Sequence, residues 1–202
     1  MDMTAMFSVC SKLKSLDLSS FDTRNVTSMS CMFLNCRKLT SLNLSGFNTA
    51  KVTAMNLMFN NCTMLPVLDL ASFDTSNVTD MDFMFSLCTN LKTIYVGDGW
   101  NTDNVTSDWS LFGDCKSLVG GAGTTYSLEN PQDKTYAHID GVGGPGYLTA
   151  KSSVGISTDI DDSLRDSVKG QRDGWYTIDG RKLNGKPTKK GVYINNGKAV
   201  VR

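Results

Sequence analysis

Histidine and glutamate are almost missing from this chain. Its 202 residues hold one of each, His138 and Glu129, against 19 aspartates. General acid–base and nucleophilic catalysis rely on histidine or on carboxylates whose surroundings push their pKa values apart, so the means for an active site are scarce and no enzymatic activity is expected. Lysine and arginine total 20, as do aspartate and glutamate, and the net charge is zero. No basic field exists to draw in nucleic acid or an anionic membrane. No apolar run approaches the about 20 residues of a spanning helix, so membrane insertion is not expected. The first residues carry no secretion-signal pattern, and Met1 to Met6 enter in mid-repeat, which reads as a fragment of something longer.

What the chain has instead is a recurring phrase. Met6-Phe7-x-x-Cys10 returns at Met32, Met58 and Met84, then as Leu111-Phe112-x-x-Cys115, in steps of 26, 26, 26 and 27 residues. A fixed period of this length signals a solenoid, in which each turn buries its apolar face only by stacking on the next. After each cysteine comes a leucine string: Leu13, Leu16, Leu18; Leu39, Leu42, Leu44; Leu65, Leu68, Leu70; and Leu91, Ile94, Val96. Alternation within it predicts a short strand with one buried face. The expected class is a leucine-rich-repeat-type solenoid of parallel β-strands, with about 4.8 Å between turns. Phe-Asp-Thr or its variants then mark a corner, and Val-Thr a second extended piece. The back of each turn, Met29-x-x-Met32-Phe33-x-x-Cys36 and its equivalents, spaces apolar residues as a short helical turn does.

The combination of corner aromatic, Asn, Val-Thr, two Met positions and Cys, as in Phe73 to Cys88, resembles the BspA-like leucine-rich repeat of bacterial surface proteins. The likeness covers residues 1–118, and residues 119–149 resemble the closing segment of the same family, a cap over the last turn. Residues 150–173 are polar and read as a linker. Residues 174–202 offer three or four short strands with turns at Asp179-Gly180 and Asn195-Asn196-Gly197. Tyr176 to Arg181 and Gly191 to Val200 resemble the small C-terminal module of exported Bacteroidetes proteins. The resemblance implies an extracellular or cell-surface, adhesin-like binding protein whose partner is a host extracellular-matrix or plasma protein or another bacterial surface component. A glycan or envelope recognition module, or a structural spacer, is the alternative, and an enzyme subdomain comes third.

Five of six cysteines form a column, Cys10, Cys36, Cys62, Cys88 and Cys115. Side chains stacked in one direction cannot all pair, and a line of donors does not converge on a metal, so free buried thiols are expected. Eight of ten methionines fill two further columns as core filler. Asp22, Asp74, Asp80 and Asp82 lie near turns, but Asn48, Ala54 and Asn56 interrupt a calcium pattern. Neither metal nor cofactor is expected. Asn25, Asn61, Asn77 and Asn104 match the N-glycosylation triplet, which here reads as a by-product of a corner asparagine; Asp162-Ser163-Leu164 and Asp166-Ser167-Val168 resemble an O-glycosylation triplet. On the strand side, Met64, Pro66, Val67 and Tyr95 are the apolar or aromatic departures from a polar face, and form the candidate partner-binding residues. The corners around Arg24, Lys51 and Asp103 come next.

Overall fold

The computed structural model describes residues 1–151 together with 175–177, 182–183, 192–195 and 198–201. The chain divides into two compact units, Met1–Ser153 and Val154–Arg202. The expected linker lies almost wholly outside the described residues. So do both serine triplets within it and the turn at Asp179-Gly180.

The first unit is mostly short parallel strands: β1 (Ser15–Asp17), β2 (Ser41–Asn43), β3 (Val67–Leu70), β4 (Thr93–Val96) and β5 (Leu148–Ala150). Residues one period apart face each other, Leu16 with Leu42 and Leu68 with Ile94. The strands form two sheets, β1-β2 and β3-β4-β5, where one continuous sheet was expected. Pro66 explains the break. Just before each strand an amide reaches one turn back, Thr40 to the Lys14 carbonyl at 2.8 Å, Lys92 to Pro66 at 2.8 Å and Val119 to Lys92 at 2.9 Å. At the same place in the third repeat stands Pro66, which has no N–H to reach Thr40. A second line of parallel bridges, Asp2–Ser28–Ala54–Asp80–Ser107, runs along the Val-Thr segments.

The backs of the turns are not helical, which corrects the expectation of short helical turns. Among the described residues the only helix is a single 3-10 turn, Lys134–Tyr136. In each back segment the amides alternate. Met32, Leu34 and Cys36 bond to carbonyls three residues earlier, while Cys31, Phe33 and Asn35 bond to Asn56, Met58 and Asn60 in the following repeat. Two residues per repeat carry positive φ to allow this, in the columns Ala5, Cys31, Leu57, Phe83, Ser110 and Val9, Asn35, Asn61, Leu87, Asp114. Left-handed residues end a right-handed helix. Apolar spacing of three and four imitates a helix because these consecutive turns also return their side chains inward every third or fourth residue.

The interior is a set of stacked columns. Phe7, Phe33, Phe59, Phe85 and Phe112 lie ring on ring, with centroids 5.7, 5.6, 5.9 and 5.5 Å apart. Tyr147 of the closing segment ends the pile edge-on at 5.3 Å. Thr23, Thr49 and Thr75 are buried and clamp adjacent corners: Thr49 Oγ1 donates to the Asp74 carbonyl at 2.7 Å and accepts from the Asp74 amide at 2.8 Å. The closing segment winds about Asp140, whose carboxylate accepts from the amides of Ala122, Thr124 and Gly146 at 2.9, 2.9 and 3.1 Å and from Thr124 Oγ1 at 2.6 Å. Gly120 must be glycine there, since a Cβ would come within 2.3 Å of the Gly146 carbonyl oxygen.

The second unit contributes an antiparallel sheet, ordered β7 (Lys182–Leu183), β6 (Trp175–Thr177), β8 (Val192–Asn195), β9 (Lys198–Val201). Tyr176 pairs with Ile194, and Tyr193 with Val200.

Candidate binding surface

The strand face inherits its geometry from the register of the repeats. Outward positions alternate with the buried leucines: Ser15 and Asp17, Ser41 and Asn43, Val67 and Asp69, Thr93 and Tyr95. At the end of three strands the outward side chain also closes a turn, with Asp17, Asn43 and Asp69 accepting from the amides of Ser19, Ser45 and Ala71 at 2.9, 3.1 and 3.1 Å. This polar column is therefore structural as well as solvated. Tyr95 takes the fourth place, where no such acceptor is available.

Met64, Pro66 and Val67 are all exposed, with the buried Leu65 between them; Met64 and Val67 keep 49% and 45% of their surface in solvent. Tyr95 is half-buried. It lies in register between Asp69 of β3 and Thr149 of β5. The Lys151 amide bonds to Val96, and its ammonium group pairs with the Asp69 carboxylate two strands away, so its stem crosses β4 beside Tyr95. The ring is hemmed in by the closing segment, a feature that the repeat pattern does not carry. Val67 pairs with Thr93, two residues before Tyr95 on β4, so the two are diagonal neighbours on one face.

Sequence reasoning missed the rim around this patch. Where repeat three has Met64, the other repeats have Lys12, Lys38 and Asn90; where it has Pro66, they have Lys14, Thr40 and Lys92. All of these are exposed. Period-aligned columns contain that signal. The result is an apolar step of three residues set in a lysine-bearing edge.

The other candidate groups sort by burial. Cys36, Cys62, Cys88 and Cys115 are buried, and their thiols donate to the carbonyls of Phe7, Phe33, Phe59 and Phe85 at 3.1, 3.3, 3.1 and 3.0 Å. Burial pushes the thiol of Cys36 up to about 11 and that of Cys115 to about 12, and raises those of Cys62 and Cys88 as well. Such thiols stay protonated and unreactive at neutral pH. Cys10 departs from expectation: the first member of the column is exposed. Among the described residues no three His, Cys, Asp or Glu side chains gather as a metal site would require. His138 is half-buried in the closing segment, where its carbonyl accepts from the Leu148 amide at 3.2 Å.

At the corners Arg24, Asn25, Asn48, Ala50 and Lys51 line a shallow hollow. Arg24 is engaged there with Asp22 through Nε and Nη2 at 2.9 and 2.8 Å, which holds the Asp22 carboxyl at about 2. Lys51 donates to Asn25 at 2.8 Å. Asn77 and Asn104 use their amides to reach the carbonyls of Ala50 and Ser76, at 2.7 and 2.6 Å, which is the backbone role expected of the corner asparagine.

No curated protein matches this chain, and no solved structure does. A family model does match, over residues 1–125, running through all five cysteine-bearing turns and into the start of the closing segment; its description is "Mycoplasma protein of unknown function, DUF285", and the chain belongs to that family.

Proposed function

We propose that this chain is a non-enzymatic, adhesin-like binding protein of the cell surface or extracellular space, built as a BspA-like leucine-rich-repeat solenoid of the Bacteroidetes type. Family membership over residues 1–125 is consistent with the BspA-like resemblance. The observation that carries the binding reading is the exposed apolar step of Met64, Pro66 and Val67, continued by Tyr95 and bordered in the adjacent turns by Lys38 and Lys92. An isolated apolar group on a polar, regular face is where a partner's side chain gains most from desolvation. The basic border favours a protein partner that offers an apolar residue among acidic ones. Extracellular-matrix and plasma proteins, or another bacterial surface component, are the partner classes. The small second unit is assigned to export or attachment, by its resemblance to the C-terminal modules of exported proteins.

The test is the double variant Val67→Ser/Tyr95→Ser, screened by surface plasmon resonance against immobilised matrix and plasma proteins. Both side chains lie on the outward face, so the thermal midpoint should change little. Binding should weaken at least tenfold, about 1.4 kcal/mol. A folded double variant that binds as the parent does would remove the strand face from consideration.

A further inference from the structure

Among the described residues Trp109 is the one aromatic side chain of the exposed large apolar group, with 72% of its surface in solvent. It closes a column whose earlier members are Thr4, Ser30, Asn56 and Asp82, on the back ribbon. Packing does not require an indole there. Its backbone is pinned on both sides, the amide donating to Asp82 Oδ1 at 2.6 Å and the carbonyl accepting from the Phe83 amide at 2.8 Å. The ring is thus presented from a fixed main chain.

The column beneath it is polar and held in place by its own hydrogen bonds. Ser30 Oγ donates to Asn56 Oδ1 at 2.5 Å, and Ser107 Oγ donates to Asp82 Oδ2 at 2.8 Å. Each Asp82 oxygen retains accepting capacity, and no described residue is bonded to Asn56 Nδ2. Beside this line runs a column of exposed threonines, of which Thr53 and Thr79 each bond to the carbonyl one turn back and so stand in fixed rotamers.

We propose that this ribbon, with Trp109 at its end, is a binding platform for an uncharged, β-linked polysaccharide. A pyranose ring has one face of C–H groups that lies against an indole and a rim of hydroxyls that need directional partners, and this surface offers both. A carboxylate beside the stacking ring accepts from vicinal hydroxyls with charge-assisted strength. Turns about 4.8 Å apart advance at close to the length of one sugar unit, so Asp82 and Asn56 meet successive residues of a chain that begins on Trp109. The acidic groups nearest the indole, Asp82 and Asp108, disfavour an acidic glycan, and they equally disfavour single-stranded nucleic acid, whose stacking on aromatics is accompanied by cationic grooves.

The platform is independent of the strand-face reading. Calorimetric titration of the whole chain with cellohexaose, chitohexaose and laminarihexaose should find at least one that binds with Kd below about 1 mM. Trp109→Ala should weaken that binding at least tenfold with an unchanged thermal midpoint, since the side chain is exposed. Asn56→Ala, which leaves the indole in place, should weaken it about threefold. Val67→Ser/Tyr95→Ser should bind the sugar as the parent does. Failure of all three hexasaccharides to bind, tighter binding of heparin, or parental affinity in Trp109→Ala would each overturn the proposal.

Discussion

The stacked repeats and the segment that closes them solve the same problem by opposite means. In the repeats each task is shared among three to five equivalent residues: one phenylalanine per turn, one thiol bonded to a carbonyl of the preceding turn, one buried threonine clamping a corner. In the closing segment a single carboxylate gathers four hydrogen bonds from three separate residues. Sharing makes loss local; concentration makes it total for the segment concerned. The contrast follows from chemistry, because a repeated turn can take its bonds from the neighbour above, whereas the last one must find them within an irregular loop.

The largest effect that would sharpen this contrast is in the aromatic pile. Phe59 is fully buried between Phe33 and Phe85, so Phe59→Ala should cost roughly 3–5 kcal/mol in urea unfolding. Phe7 is only half-buried and is stacked on one side alone, so Phe7→Ala should cost clearly less. Equal losses would break the picture of contacts limited to adjacent turns.

Asp140 comes next. Asp140→Ala strands three amides in a partly buried place and should cost roughly 2–4 kcal/mol, read as early loss of hydrogen-exchange protection in residues 119–150 while the repeats stay protected. Burial pushes the Asp140 carboxyl up, but the bonds from Thr124, Gly146 and Ala122 outweigh it and leave it at about 2, below its usual 3.8. A depressed acid contributes stability that is present above its unfolded pKa and lost as pH falls through its folded one. The segment should therefore weaken between about pH 4 and pH 2. Asp140→Asn should flatten that part of the profile. A profile identical to the parent's would mean that the other lowered carboxylates, Asp2, Asp17, Asp22 and Asp74, carry the acid response.

These two regions also differ in how far the sequence reveals them. A pair such as Leu68 and Ile94 announces both its burial and its pairing, because the period aligns it and alternation turns it inward. The strand face was legible in the same way, and Val67 and Met64 are exposed as their positions implied. Tyr95 was not. Its half-burial comes from Thr149 and Lys151, which belong to no repeat and so have no column to be read from. The break in the sheet at Pro66 was visible in principle, since a missing N–H can be read from one letter. The backs of the turns misled because apolar spacing reports which side chains point inward and is silent on the sign of φ.

That silence leads to the smallest effect. Val9 is β-branched, 63% exposed and held at φ 59°, a region that β-branched residues occupy at a cost on the order of 1 kcal/mol or more. Three of the other four members of its column, Asn35, Asn61 and Asp114, are residue types that accept this conformation most readily among those with side chains; the fourth is Leu87. Val9→Asn keeps the amide that donates to the Leu34 carbonyl at 2.7 Å, gives up little buried surface and relieves the strain. Because the side chain is largely exposed, the gain should remain local: slower exchange of the Val9 and Cys10 amides, and a rise in thermal midpoint of no more than about 2 °C. A fall in midpoint, or faster exchange, would mean that the left-handed residues of the back segments are held by side-chain packing that asparagine cannot replace, and that their conformation is a property of the whole stack.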